Sequence, residues 1–308
     1  MSTPSFDSVV IAGLAACTAT TFSNPAEVAK TRLQLQGELV KTGYKAIYTG
    51  PLDTIRKTWT HEGIYGVQRG LGAAYAYSGL LQVCIISLYE PFRLSLNSIL
   101  GKDASERYFP TTIAAGTCTG IAGAFAGNPF FLVKARMQAY SPSLPVGTQR
   151  HYKSAFEALQ RIYSLDGAGG LFRGARAAMF RTSLGTSVQM PTYFFTKRKI
   201  VETGLLKESN PVTVVLSSAA AGAVVCLFMS PADTTLTRLY NQPTIPGRAG
   251  GTLYTGPFDC LMKTVRIEGP LALYKGASAH FLRITPHITI LLTANEYLTR
   301  WYRSLNRT

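Results

Sequence analysis

Six stretches of the chain lack Asp, Glu, Lys and Arg and are rich in apolar residues. Four are long: Ser8 to Ala26, Gly70 to Tyr89, Thr111 to Val133 and Ser209 to Ala232. Each approaches the roughly 20 residues a helix needs to cross a bilayer. Two are shorter, Thr182 to Thr196 and Ile284 to Asn295, each cut off by a preceding arginine, Arg181 and Arg283. Between the two members of each pair lies a polar segment of helical periodicity: about Asp53 to Thr60, Ala155 to Tyr163 and Phe258 to Arg266. These segments predict short amphipathic helices lying along a membrane surface. The first helix of each pair also carries small residues at every fourth position: Ala12/Ala16/Thr20, Gly116/Gly120/Ala124 and Ser218/Gly222/Cys226. Such faces let helix backbones approach closely in lipid.

The pairs are copies of one unit. Tyr48, Glu62-Gly63 and Arg69-Gly70 recur as Tyr152, Asp166-Gly167 and Arg173-Gly174, then as Tyr254, Glu268-Gly269 and Lys275-Gly276. Tyr48 to Tyr152 and Gly70 to Gly174 are both 104 residues, and the next steps, to Tyr254 and Gly276, are both 102. A fixed period held at several landmarks marks internal repetition. The expected fold is an all-α membrane protein. It has three tandem repeats, each with two transmembrane helices and a short surface helix, at 1–105, 106–208 and 209–308.

Composition fits this picture. Only 15% of residues are charged, yet Lys and Arg outnumber Asp and Glu by 31 to 16. A nucleic-acid binder would gather such an excess into a stripe on a more charged surface. A membrane protein with basic loops explains low charge and net +15 together. The five cysteines form no C-x-x-C pair and read as small buried apolar residues. G-x-S-x-G, H-E-x-x-H and G-x-x-x-x-G-K-[ST] are absent, so nothing points to an enzyme, a cofactor or a metal. Met1 to Ser8 has neither a secretory nor an Arg-rich transit pattern, so no cleaved presequence is expected.

The first helix of each repeat ends in a proline followed by charges. The copies read Pro25-Ala-Glu27-x-x-Lys30-x-Arg32-x-Gln34, Pro129-Phe-Phe131-x-x-Lys134-x-Arg136-x-Gln138 and Pro231-Ala-Asp233-x-x-Leu236-x-Arg238-x-Tyr240. Prolines at Pro25, Pro129 and Pro231 kink helices, and three kinked helices can converge. An acid and a base three residues apart share one helix face. Charges in a membrane are costly unless paired, so converging kinks can pair them between helices and close one end of a cavity.

This triple pattern resembles the mitochondrial carrier family over essentially the whole chain. The resemblance implies a multi-pass protein of the mitochondrial inner membrane. Each acid would pair with the base of the next repeat round, so that Glu27 meets Lys134 and Asp233 meets Lys30. The third pair would join Phe131 and Leu236, where both charges are missing together and leave no orphan. With Gln34 and Gln138, these residues form the expected matrix gate. A second gate, on the cytoplasmic side, follows from Tyr89-Glu90-x-x-Arg93: Glu90 would meet Lys197, and Glu296 would meet Arg93. The third pair there, Phe194 and Thr299, again lacks both charges.

Two gates imply a cavity between them. Tyr77, Arg181 and Arg283 occupy equivalent positions, each 13 residues before its gate position. That is about 20 Å along a helix at 1.5 Å per residue, well inside the membrane. An intramembrane arginine needs a partner, and two guanidinium forks match two carboxylates. No Asp or Glu lies between Leu171 and Val201 or between Gly269 and Ala294, so an entering anion is expected to supply that partner. Tyr77, Ser78, Gln82, Gln189 and His287 are further site residues; His61, His151 and His280 receive no role.

Within the family, Arg181 followed by Thr182 resembles the keto-acid contact type. The phrases Phe131-Leu-Val-Lys134, Ser187-Val-Gln189, Arg238-Leu-Tyr-Asn-Gln242 and Arg283-Ile-Thr-Pro-His287 resemble the fungal oxaloacetate branch. That branch implies oxaloacetate, sulfate or malonate-like dicarboxylates as cargo, moved by antiport or symport, with another carrier activity of the family, such as dicarboxylate/keto-acid exchange or uncoupling-type proton leak, as the alternative. The expected partners are the dianion and membrane lipid, with cardiolipin at the matrix side and no nucleic acid, for a chain acting as a monomer.

Overall fold

A computed structural model describes residues 6–40, 46–106, 108–204, 210–244 and 251–305. The ends of the chain and the expected boundary at 208 and 209 lie outside the described residues. Six long helices dominate: α1 (Phe6–Leu35), α3 (Leu71–Ile99), α4 (Phe109–Ala139), α6 (Ala175–Glu202), α7 (Pro211–Asn241) and α9 (Ala277–Leu305). Three shorter ones, α2 (Pro51–Val67), α5 (Ala155–Leu171) and α8 (Pro257–Glu268), connect them in pairs. Among the described residues the sole β feature is a bridge between Thr244 and Gly251.

The long helices hold 28 to 31 residues, about 42–46 Å at 1.5 Å per residue, enough for a bilayer and its interfaces. In α1, α3 and α7, the segments Val9–Leu35, Leu71–Ile99 and Val215–Asn241 are also apolar enough to span it by composition. The sequence pattern suggested six such spans. α4 is built largely from weakly apolar Gly, Ala and Thr, and α6 and α9 carry Arg181 and Arg283. These three helices match the others in length rather than in apolarity. Large apolar side chains such as Phe22, Phe180, Phe195 and Phe228 are more than half exposed on the long helices, as a lipid-facing surface requires.

The long helices close into a ring: α1 packs on α3 and α9, α3 on α4, α4 on α6, α6 on α7, and α7 on α9. α1, α4 and α7 also touch one another, so these three converge. Small residues permit the close approaches. A Cβ on Gly127 would stand 2.8 Å from the Tyr77 ring, and one on Gly120 would stand 2.9 Å from Thr182 Cγ2.

The glycines that mark the repeats have a backbone reason. Gly63, Gly167 and Gly269 have φ of 64°, 66° and 89°, where each short helix turns or ends. Gly70, Gly174 and Gly276, at 76°, 76° and 82°, precede α3, α6 and α9. Left-handed backbone of this kind favours glycine. Beside them, Asn24 Nδ2 donates to the Val67 and Arg69 carbonyls, and Asn128 Nδ2 to those of Leu171 and Arg173. The ends of α2 and α5 are thereby docked against the convergent end of the bundle.

Candidate functional site

Pro25, Pro129 and Pro231 lie inside α1, α4 and α7, which continue past them as helix. One turn on, charges meet between helices. Glu27 Oε1 lies 2.8 Å from Lys134 Nζ, and Lys30 Nζ lies 2.9 Å from Asp233 Oδ2, all four residues buried. The third seam is apolar. Phe131 packs against the buried cluster containing Leu236, with ring centroids 4.8 Å from Tyr77 and 5.6 Å from Tyr240. Gln34 and Gln138 join helices below these pairs. Gln138 accepts from Thr31 at 3.1 Å and donates to Asn24 at 3.0 Å, while Gln34 accepts from Thr237 at 2.7 Å.

Above this closure lies a cavity of about 270 Å³, lined among others by Glu27, Tyr77, Lys134, Arg181, Arg283 and His287. Ser78 and Gln189 line it too. Ser78 Oγ is 3.1 Å from Thr20 Oγ1, and His287 Nδ1 is 2.9 Å from Ser23 Oγ. Two residues named from sequence sit elsewhere. Thr182 donates to the Ala178 carbonyl of its own helix and faces Gly120 of α4. Gln82 is half-buried on α3 and is not among the lining residues. Thr182 misses the cavity because successive residues on a helix point about 100° apart, which turns it away from the face that holds Arg181.

The two arginines differ. Arg181 Nε donates to Asp233 Oδ1, and its guanidinium stands 5.7 Å from the Phe131 ring centroid. The expectation that Arg181 waits without a carboxylate is therefore corrected. The absence of acids along α6 said nothing about α7, and a buried guanidinium draws on whichever helix offers a carboxylate. Arg283 has no such partner among the described residues. Its Nη2 is 3.4 Å from His280 Nε2, and its Nε is buried without a hydrogen-bond partner.

His280 was missed from sequence and belongs to the site. It lines the cavity, and its Nδ1 lies 3.0 Å from Asp233 Oδ2 without hydrogen-bond geometry. The available signal was its place one turn before Arg283 on the same face of α9.

At the opposite end, the expected Arg93–Glu296 pair is replaced by contacts within helices and loops. Arg93 bonds Glu90 on its own helix at 2.5 and 3.1 Å and the carbonyls of Ala104 and Glu106 at 3.0 and 2.8 Å. Glu296 pairs with Arg300, four residues along. These acids and bases share a helix face at i,i+3 and i,i+4, so they pair locally where the helices do not converge.

A closed ring of six long helices, ion-paired between repeats at one end and cationic in its central cavity, defines a membrane transport protein built from a threefold repeat. The chain belongs to the mitochondrial carrier family: the family model described as "Mitochondrial carrier protein" matches residues 2–99, 105–204 and 207–306. Its relatives include "Mitochondrial citrate transporter E" of Aspergillus niger, 45% identical over 297 residues, covering 96% of this chain and 93% of the relative. The "Mitochondrial oxaloacetate transport protein" of Schizosaccharomyces pombe is 45% identical over 291 residues, covering 94% and 89%. The protein of that name in Saccharomyces cerevisiae is 42% identical over 294 residues, covering 94% and 88%.

Proposed function

We propose that the chain carries a small multivalent carboxylate, oxaloacetate foremost, across the mitochondrial inner membrane by alternating access. The observation that supports this most is Arg283: a guanidinium in the central cavity that forms no ion pair among the described residues and whose Nε is buried without a hydrogen-bond partner. A carboxylate at Arg283 would bring a second one within reach of Arg181, whose present partner is a residue of the closure. A dianion that takes Arg181 competes with Asp233 and loosens the seam held by Lys30. Binding then favours the conformation in which that end opens, as differential affinity requires. In that second conformation the opposite end closes, and Glu296 would pair with Arg93 there. The closed end faces the matrix in this reading.

Citrate is the second reading, favoured by the Aspergillus relative. Reconstituted liposomes separate the two. Labelled oxaloacetate uptake should be competed by unlabelled oxaloacetate and malonate more strongly than by citrate or sulfate. Arg283→Gln should lower uptake about a hundredfold, the size of losing charge-assisted hydrogen bonds of up to about 3 kcal/mol. Uptake at the unmodified rate by that variant would remove the site, and preferential competition by citrate would reassign the cargo.

A further inference from the structure

The three repeats share one device at the rim of the closed end: an acid of the short helix set between two bases. In the first, Glu62 accepts from Arg32 at 2.6 and 3.0 Å and meets Arg69 at 3.2 Å. In the third, Glu268 accepts from Arg238 at 2.5 and 2.9 Å and from Lys275 at 2.7 Å. The second repeat has Arg136, Asp166 and Arg173 at these positions. Aspartate is one methylene shorter. It lies 3.3 Å from Arg173 and forms no ion pair with Arg136.

Arg136 is therefore left short of charge. It is 2% exposed, its Nε donates to the Tyr240 carbonyl at 3.0 Å, and its Nη2 is buried with no hydrogen-bond partner. Burial holds its guanidinium below the usual range, with the Tyr152 hydroxyl the main group favouring its charge. Nε and Nη1 of Arg173 are also buried and unpartnered. The second repeat then adds a cation the others lack: Arg150 stands where they have Ala46 and Thr252. Arg150 donates to the carbonyls of Asn241 at 3.1 Å and Gln242 at 2.8 Å. Burial and the adjacent Arg136 push its guanidinium down to about 10.

Arg136, Arg150 and Arg161 line a cavity of about 570 Å³ whose sole lining carboxylate among the described residues is Asp166. Buried guanidinium donors without acceptors are costly, and forked donors match tetrahedral oxyanions.

We propose that this cavity, formed by the second repeat and the end of α7, binds a soluble oxyanion of the phosphate type carrying at least two negative charges. The site is separate from the central cavity and does not depend on what the protein transports. Arg136 and Arg150 both already hold the last turn of α7, so an anion bridging them braces α4 against α7. Those two helices belong to the convergent end, and an occupied site holds that end shut.

The test is thermal denaturation of the full chain, titrated with pyrophosphate at constant ionic strength, in phosphatidylcholine nanodiscs with and without cardiolipin. Pyrophosphate should raise the melting temperature in both kinds of disc. The rise should persist in Arg283→Gln, which alters only the central cavity. In Arg150→Gln the apparent affinity should fall about tenfold or more, the equivalent of one charge-assisted hydrogen bond. Asp166→Glu should abolish the response while melting no lower than the parent without ligand, because the longer acid reaches Arg136 as Glu62 reaches Arg32. The site is refuted if pyrophosphate has no effect on the parent protein, or acts equally on Arg150→Gln. It is also refuted if the effect vanishes in Arg283→Gln or requires cardiolipin. Should Asp166→Glu fail to fold, Arg150→Gln alone decides.

Discussion

Asp233 is the residue on which closure and cavity meet. One oxygen takes Lys30, the other takes Arg181, and the His280 ring stands beside them. Removing Arg181 leaves the carboxylate with Lys30, so the protein should survive the loss. Arg181→Ala is expected to stop oxaloacetate uptake in liposomes while lowering stability by only about 1–3 kcal/mol, read from thermal or denaturant melting. Unchanged uptake would remove Arg181 from the site. In the sequence, Arg181 and Arg283 look alike, each an arginine at the edge of an apolar run. They differ in the fold because a carboxylate on α7 reaches one and not the other. That distinction is a property of neighbouring helices, and no pattern along α6 or α9 alone contains it. His280 was harder still to read, since a single histidine in a helix acquires meaning only from what stands across from it.

At the scale of elements, the repeat landmarks were legible because they are backbone requirements. Gly174 has φ 76°, and a Cβ there would stand 2.7 Å from Tyr240 Cε1. Gly174→Ala should therefore destabilise by roughly 1–3 kcal/mol, the usual cost of a non-glycine residue in a strained left-handed conformation. Gly72→Ala, in helix α3 with nothing near the new methyl, is the control and should be neutral or slightly stabilising. Equal effects in melting experiments would contradict this account. Element lengths were less legible. α6 begins at Ala175 and α9 at Ala277, six residues before the arginines that seemed to cut them short. A charge ends an uncharged run in the sequence, but a helix continues through it when the side chain faces a polar cavity. The short helices likewise start ahead of or run past their amphipathic pattern, and in α2 and α5 a further helical turn follows the non-helical kink at Gly63 and Gly167.

For the whole molecule, the closed end has two ionic seams and one apolar seam. Leu236→Lys alone places an uncompensated charge against Phe131 and should cost about 3–5 kcal/mol. Adding Phe131→Asp should recover part of that loss, with a coupling of about 1–3 kcal/mol in a double-mutant cycle. The double variant should also transport more slowly, because a third ionic seam must part. Additive single effects with unaltered transport would show that α4 and α7 do not meet there as described. The helix ring follows from the repeats, but the exchange of an ionic seam for an aromatic one gives the threefold scaffold a front and a back.

The same loss of symmetry reaches the cavity wall, where equivalent positions of the three repeats present Tyr77, Arg181 and Arg283. A guest looking outward from the axis meets a phenol on one side and guanidinium groups on the other two. In the proposed mode of binding, a flat molecule with an anionic head at each end seats both heads on guanidinium groups and its neutral edge against the phenol, whereas a threefold-symmetric trianion would leave one head facing the phenol. A scaffold made by copying one unit three times thus acquires two anion-attracting walls and one neutral wall through the choice of one side chain per copy.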